Sequence, residues 1–235
     1  MEQRFSGILS EEYCLFELAC PYFSEMRMQI KEIVKNHCQH YAQEKIAVLE
    51  IGFGLGPTTS FLLNSEPHIL VTAIDNEPKM VEQAKENLKN FIKAGRLKLI
   101  EEDALQFLQS VASNSFEACV SSFTIHNFEQ DYRNKLLKEI YRILKSNGLF
   151  VNADKCASNN AAEHKAALEW QLEQYKKVFE KKELVSEWIA HDLEDEKESR
   201  ILREKQFLEQ LKKIGFKEVN KIFRKRLHAT VTATK

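Results

Sequence analysis

The run Ile46-Ala47-Val48-Leu49-Glu50-Ile51 passes directly into Gly52-Phe53-Gly54-Leu55-Gly56, and this junction constrains the fold more than any other segment. A short apolar, β-branched run ending in glycines is how a strand buried on both faces of a parallel sheet looks. Pro57 suits the first turn of a following helix, where its missing N–H would have been unpaired anyway. The unit then recurs. A strand is expected over 69–74, a helix over 78–94 stopped by Gly95, a strand over 97–101, a short helix through Leu105 and Leu108, and a strand over 116–121. A helix over 133–144 places Leu136, Leu137, Ile140 and Leu144 on one face; Asn147-Gly148 ends it, and a fifth strand follows over 149–153. Such alternation predicts an α/β protein with a doubly wound, mostly parallel sheet that binds ligands at the carboxyl ends of its strands.

The flanks complete a single domain over 1–235. Residues 1–45 read as a helical lid, with Leu15, Leu18, Phe23, Met26, Ile30, Ile33 and Val34 at helical spacing and Pro21 as a break. Residues 46–157 form the core. Residues 158–211, rich in Glu, Lys, Gln and Ala, read as a helical insertion that caps the strand ends. Residues 212–235 give the end of a helix and a terminal hairpin, 216–223 and 227–232, which brings the sheet to seven strands.

Composition excludes several classes. A formal net charge of -1 argues against a protein held stably on nucleic acid by phosphate neutralisation. Five dispersed cysteines without a C-x-x-C pair indicate neither a disulfide framework nor a zinc site, so no metal is expected and a cytoplasmic setting is the simplest reading. The uncharged runs are too short for a bilayer, so no membrane partner is expected; a homodimer is compatible with the sequence. Lys221, Arg224, Lys225 and Arg226 read as an exposed hairpin turn, the alternative being a guide for a phosphate-bearing substrate.

Gly52, Gly54 and Gly56 let backbone pass close beneath a ligand. A dinucleotide site wants a further glycine where Pro57 stands, so a ligand without pyrophosphate is favoured. The segment 48–56 resembles the glycine-rich first motif of class I S-adenosylmethionine-dependent methyltransferases, and segments similar to the later motifs follow in order over 46–153. The resemblance implies a Rossmann-like fold, S-adenosylmethionine as cofactor, S-adenosylhomocysteine as product, and transfer of a methyl group to a small-molecule acceptor. It implies cofactor contacts from Glu50, Gly52, Phe53, Gly54 and Gly56. Asp75 would take both ribose hydroxyls, with Asn76 and Met80 beside the adenine. Asp103 and the backbone of Ala104 would clamp the adenine, and Ser121 and Ser122 would lie where the methionyl part and the acceptor meet.

Methyl transfer is an in-line displacement that needs positioning and exclusion of water, and a base if the acceptor carries a proton. His126 is the candidate base because imidazole titrates near neutrality; its plainer role is to shape the pocket. Tyr13, Tyr22, Asn127 and His191 are candidate acceptor contacts. The alternative for Tyr13 and Tyr22 is core packing, and for His191, Asp192 and Asp195 a solvated helix junction or cap. The layout is also similar to carboxy-S-adenosylmethionine synthases of tRNA modification, which use an arginine in the insertion. Counting back from Lys213-Ile214-Gly215-Phe216 puts His191-Asp192 at that place, and Arg200 or Arg203 would replace it only in a shifted register. A non-catalytic cofactor-binding module is the third reading.

Overall fold

A computed structural model describes residues 4, 8–39, 41 and 45–235; the remaining parts of the expected lid lie outside the described residues. Seven strands, β1 (Ile46–Ile51), β2 (Ile69–Asp75), β3 (Leu97–Glu101), β4 (Phe116–Ser122), β5 (Leu144–Lys155), β6 (Lys217–Lys225) and β7 (His228–Thr234), form one sheet in the order β3-β2-β1-β4-β5-β7-β6. The first five run parallel, and β7 is antiparallel to both β5 and β6. Strand order reverses between β1 and β4, so a crevice opens above their carboxyl ends.

Helices cover both faces. On one face α1 (Ile8–Glu11), α2 (Tyr13–Ala19), α3 (Phe23–Cys38), α4 (Pro57–Leu63), α5 (Pro78–Asn87) and α6 (Lys89–Lys93) pack over Val48, Val71 and Val120. On the other α7 (Ala104–Ser110), α8 (Gln130–Ile143) and α11 (Glu204–Ile214) pack over Leu49, Ile51 and Phe150. The pleat divides Val48 from Leu49 and so assigns neighbouring residues of β1 to opposite cores. The insertion is helical as expected: α9 (Ala161–Val178) lies on α2, and α10 (Lys182–Asp195) lies on α9 and α1 at the carboxyl edge of the sheet.

Three local expectations need correction. The helix over 78–94 is broken at Leu88, which ends α5 and packs beneath Gly56. The helix expected over 133–144 runs from Gln130 to Ile143, and Asn147-Gly148 lies inside β5 instead of ending it. Asn147 takes φ +63, and the pairing with β4 shifts register between Phe116 and Ala118. The basic hairpin is exposed at Lys221, Lys225 and Arg226 as expected, but Arg224 is half-buried: it donates to Glu204 at 2.8 Å and to the Cys156 carbonyl at 3.1 Å, and Lys221 reaches Glu204 at 2.9 Å. Among the described residues no helix is long and apolar enough to cross a membrane.

Candidate functional site

The glycine loop between β1 and α4 is held open to a ligand by its own backbone. Gly52, Gly54 and Gly56 have φ of +72, +52 and +87, the left-handed region that side chains disfavour. A Cβ on Gly52 would stand 2.1 Å from Thr124 Oγ1, and one on Gly56 2.4 Å from Leu88 Cδ1, so those two glycines permit packing beneath the loop. A Cβ on Gly54 would meet nothing within 4 Å, because that residue faces the crevice. The Gly54 N–H donates to Asp75 Oδ2 at 2.8 Å and the Glu77 N–H to Asp75 Oδ1 at 3.0 Å, which ties the loop to the end of β2. Burial pushes the Asp75 carboxyl up, and these N–H groups oppose it.

The crevice is a cleft of about 910 Å³, partly open to solvent. Gly52, Phe53, Gly54, Asp75, Asn76, Met80, Ala104 and Ser122 line it, as do Tyr13 and Asn127. Glu50, Gly56, Asp103 and Ser121 are not on its wall and support it from behind. Asp103 caps α7, its Oδ1 accepting from the Leu105 and Gln106 N–H groups at 3.0 and 3.1 Å and from the Tyr132 hydroxyl at 2.9 Å. Glu102 and Ala104, its neighbours, are the residues that face the cleft.

Glu50 is fully buried and accepts from Thr59 Oγ1 at 2.6 Å. Burial raises its pKa to about 8 from the ordinary 4.5; the Thr59 bond opposes the rise and the Asp75 charge adds to it. The folded chain therefore binds a proton that the unfolded chain has lost over that window, and stability falls as pH rises from 4.5 to 8. Glu50→Gln is expected to flatten this slope and to raise Tm at pH 8 by about 5 °C. Thermal melts across the window check it, and an unchanged slope contradicts it.

The lining of the cleft and its chemistry fit a nucleoside sulfonium. Ser122 Oγ and Glu77 Oε2 are buried on its wall without a hydrogen-bond partner, as atoms awaiting a ligand would be. Asp75 would hold the ribose, Asn76 and Met80 the adenine, and Gly52, Gly54 and Ser122 the methionyl part. Gly54→Val is expected to weaken S-adenosylhomocysteine binding by more than about a hundredfold, since a branched side chain would occupy the cleft. Valine at φ +52 also costs about 1–3 kcal/mol of stability. Calorimetry beside a thermal melt separates the two effects, and normal binding would contradict the assignment.

A second chamber of about 380 Å³ shares Tyr13 and Phe123 with the cleft. Phe16, Tyr175 and Trp188 supply its aromatic wall, with the Phe16 and Trp188 rings stacked at 4.5 Å between centroids. Its polar wall includes His126, Lys155, His191 and Asp192. His126 Nδ1 stands 2.5 Å from Asp154 Oδ1, and the His126 backbone N–H donates to Asp154 Oδ2 at 3.0 Å. The carboxylate can only accept, so the proton sits on Nδ1 and Nε2 is left as the basic nitrogen. His126 Nε2 faces Asp195 Oδ2 at 3.6 Å, beyond hydrogen-bond range.

The insertion contributes more than the sequence disclosed. His191, Asp192 and Asp195, read as a solvated junction or cap, are instead buried, because α10 turns them toward the sheet. Lys155 Nζ donates to Asp192 Oδ1 at 3.0 Å and Asp195 Oδ2 at 3.2 Å, and Arg4 donates to Asp195 Oδ1 at 2.6 Å and Asn127 Oδ1 at 2.7 Å. Burial pushes the Asp195 carboxyl up, but the Lys155 and Arg4 charges outweigh it and hold it below the ordinary range. Burial lowers the His191 pKa to about 3, so that ring is neutral. One ligand atom each of His126, His191 and Asp195 lies within 4.8 Å of the others, a grouping that the sequence did not suggest. With a cation already on each Asp195 oxygen, it is better described as a compensated charge network than as a cation site.

Of the four candidate acceptor contacts, Tyr13 lines both cavities, His191 the chamber and Asn127 the cleft. Tyr22 lines neither; its ring lies against Trp170 and His228 at 6.2 and 5.7 Å. Arg4, Asp154, Lys155 and Gln171 were not foreseen. Only Asp154 carried a usable signal, as a carboxylate near the end of the fifth strand, on the same edge as Asp75.

Comparisons with known proteins agree with this fold. A family profile described as a methyltransferase domain matches residues 48–148. The carboxy-S-adenosyl-L-methionine synthase of Nautilia profundicola is 27% identical over 216 residues, 92% of this chain and 86% of that one. The demethylmenaquinone methyltransferase of Leptospira interrogans is 31% identical over 53% of this chain and 47% of its own. The chain spans about half the length of several other curated relatives that it matches. Among solved structures, the CurJ carbon methyltransferase superposes with a TM-score of 0.70 at 14% identity, covering 99% of this chain and 61% of that one, which shows the fold. Glycine loop, carboxylate at the end of β2, strand order and family match converge: residues 48–148 are a methyltransferase domain, and the chain has the fold of the class I S-adenosylmethionine-dependent methyltransferases, with S-adenosylmethionine as the cofactor that the match supports.

Proposed function

We propose that the protein methylates a hydroxyl or N–H group of a small molecule held in the chamber behind Phe123, with His126 as the general base. The observation that carries this is the His126–Asp154 pair at 2.5 Å on the wall of a chamber adjoining the cofactor cleft. When bound, S-adenosylmethionine supplies an electrophilic methyl group whose bonding pair stays with sulfur. The chain's own residues do the rest. Tyr13 and Phe123 form the shared wall across which donor and acceptor meet. Asp154 orients the imidazole, Nε2 takes the acceptor's proton, and Asp195 steadies the resulting charge. The aromatic wall keeps water away. The test is acceptor-dependent release of S-adenosylhomocysteine with a panel of small phenols, alcohols and amines. Release that requires both an acceptor and His126 supports the reading, and release indifferent to His126 removes the base from it.

The likeness to the Nautilia profundicola synthase over 92% of the chain favours a second reading, formation of a carboxylated sulfonium nucleoside. Against it, the place where an arginine is expected holds Asp192, a carboxylate that accepts from Lys155 and from the Tyr175 hydroxyl at 3.1 Å. Mass spectrometry of the nucleoside recovered with the purified protein separates the two: a carboxylated species supports the second reading.

A further inference from the structure

The wall of the chamber specifies its occupant more closely than "small molecule", an inference that rests on the proposed methyl transfer. Gln171 is 3% exposed and lies on that wall. Its Nε2 donates to the Ala19 carbonyl at 3.0 Å, which fixes the amide so that Oε1 is the free acceptor. That Oε1 is buried and has no hydrogen-bond partner. An orphaned buried acceptor costs about 1–3 kcal/mol, so the site gains if a ligand brings a donor to it. Charge is treated differently. The charged residues on the wall, Lys155 and Asp192, are paired with each other at 3.0 Å. His191 and His228 are driven to the neutral form by burial. A charged ligand would enter without a counter-ion and lose its hydration. Shape is set by the stacked Phe16 and Trp188 rings, with Tyr175 next to Trp188 at 5.9 Å and Phe123 meeting Phe16 at 5.9 Å. A wall of this kind takes another flat ring.

We propose that the chamber binds an uncharged, single-ring aromatic acceptor that carries two donor groups, one hydroxyl meeting His126 and a second O–H or N–H meeting Gln171 Oε1. The hydroxyl oxygen takes the methyl group as its proton passes to His126 Nε2, and the leaving sulfur keeps the C–S pair. Gln171 contributes to selection and takes no part in the chemistry.

The test uses the full-length protein saturated with S-adenosylhomocysteine, titrated calorimetrically with phenol, the three dihydroxybenzenes, 3-hydroxybenzoate and cyclohexane-1,3-diol. At least one dihydroxybenzene is expected to bind about tenfold tighter than phenol, with the benzoate and the non-planar diol weaker than either. Gln171→Leu should abolish that tenfold gain while leaving S-adenosylhomocysteine affinity intact. Should the leucine variant fail to fold, Gln171→Met carries the same expectation, and the comparison among ligands on the unmodified protein stands by itself. The proposal is overturned if no dihydroxybenzene binds although S-adenosylhomocysteine does, if the benzoate binds more tightly, or if the gain survives at position 171. Dihydroxybenzene binding without methyl transfer, once S-adenosylmethionine is supplied, would keep the ligand class and overturn the methylation reading. Absence of S-adenosylhomocysteine binding would remove both.

Discussion

Replacing His126 by alanine is expected to lower kcat by about 10²- to 10⁴-fold, the usual worth of a positioned general base, while cofactor affinity stays within about twofold. The second half of this expectation follows from position: His126 lines the chamber and not the cleft. Asp154→Asn should give a smaller fall in kcat, because an amide that turns its NH2 toward Nδ1 holds the imidazole in the wrong tautomer, with the proton on Nε2. An Asp154→Asn enzyme of normal kcat would reduce Asp154 to a packing residue, and a His126→Ala enzyme of normal kcat would remove the base altogether. The assay uses whichever acceptor of the phenol panel is turned over.

Asp75→Ala is expected to weaken S-adenosylmethionine binding by about a hundredfold. Two effects act together. A hydrogen bond to a charged acceptor is worth about 1.5–3 kcal/mol, and a ribose presents two hydroxyls. The same carboxylate ties the Gly54 and Glu77 N–H groups, so its loss also loosens the loop that lines the cleft. Asp75→Asn should cost less, because the amide oxygen still accepts one of these bonds. Calorimetry on the three proteins checks the order, and an alanine variant that binds normally would displace Asp75 from the cofactor site.

Legibility in the sequence followed the range of the interactions. The β1 junction was readable because an apolar run, three glycines and Pro57 are local signals; the cleft residues Gly54 and Asp75 follow from strand ends on one edge, and Asn76 and Met80 from the resemblance alone. The hairpin of β6 and β7 was readable for the same reason. The chamber was not. Lys155 meets Asp192 and Asp195 across 37 and 40 residues, and Arg4 meets Asp195 across 191. Acidic residues on an amphipathic helix look solvated until partners from elsewhere in the chain bury them. The break at Leu88 was hidden because it serves packing beneath Gly56, 32 residues earlier, and leaves no glycine or proline to mark it.

The most direct test of the account is titration calorimetry of the purified full-length chain with S-adenosylhomocysteine and S-adenosylmethionine, with a nicotinamide dinucleotide as control. The account predicts single-site binding of both sulfur nucleosides with Kd of about 1–100 μM and no heat from the dinucleotide. Silence from both nucleosides, or preference for the dinucleotide, would contradict it.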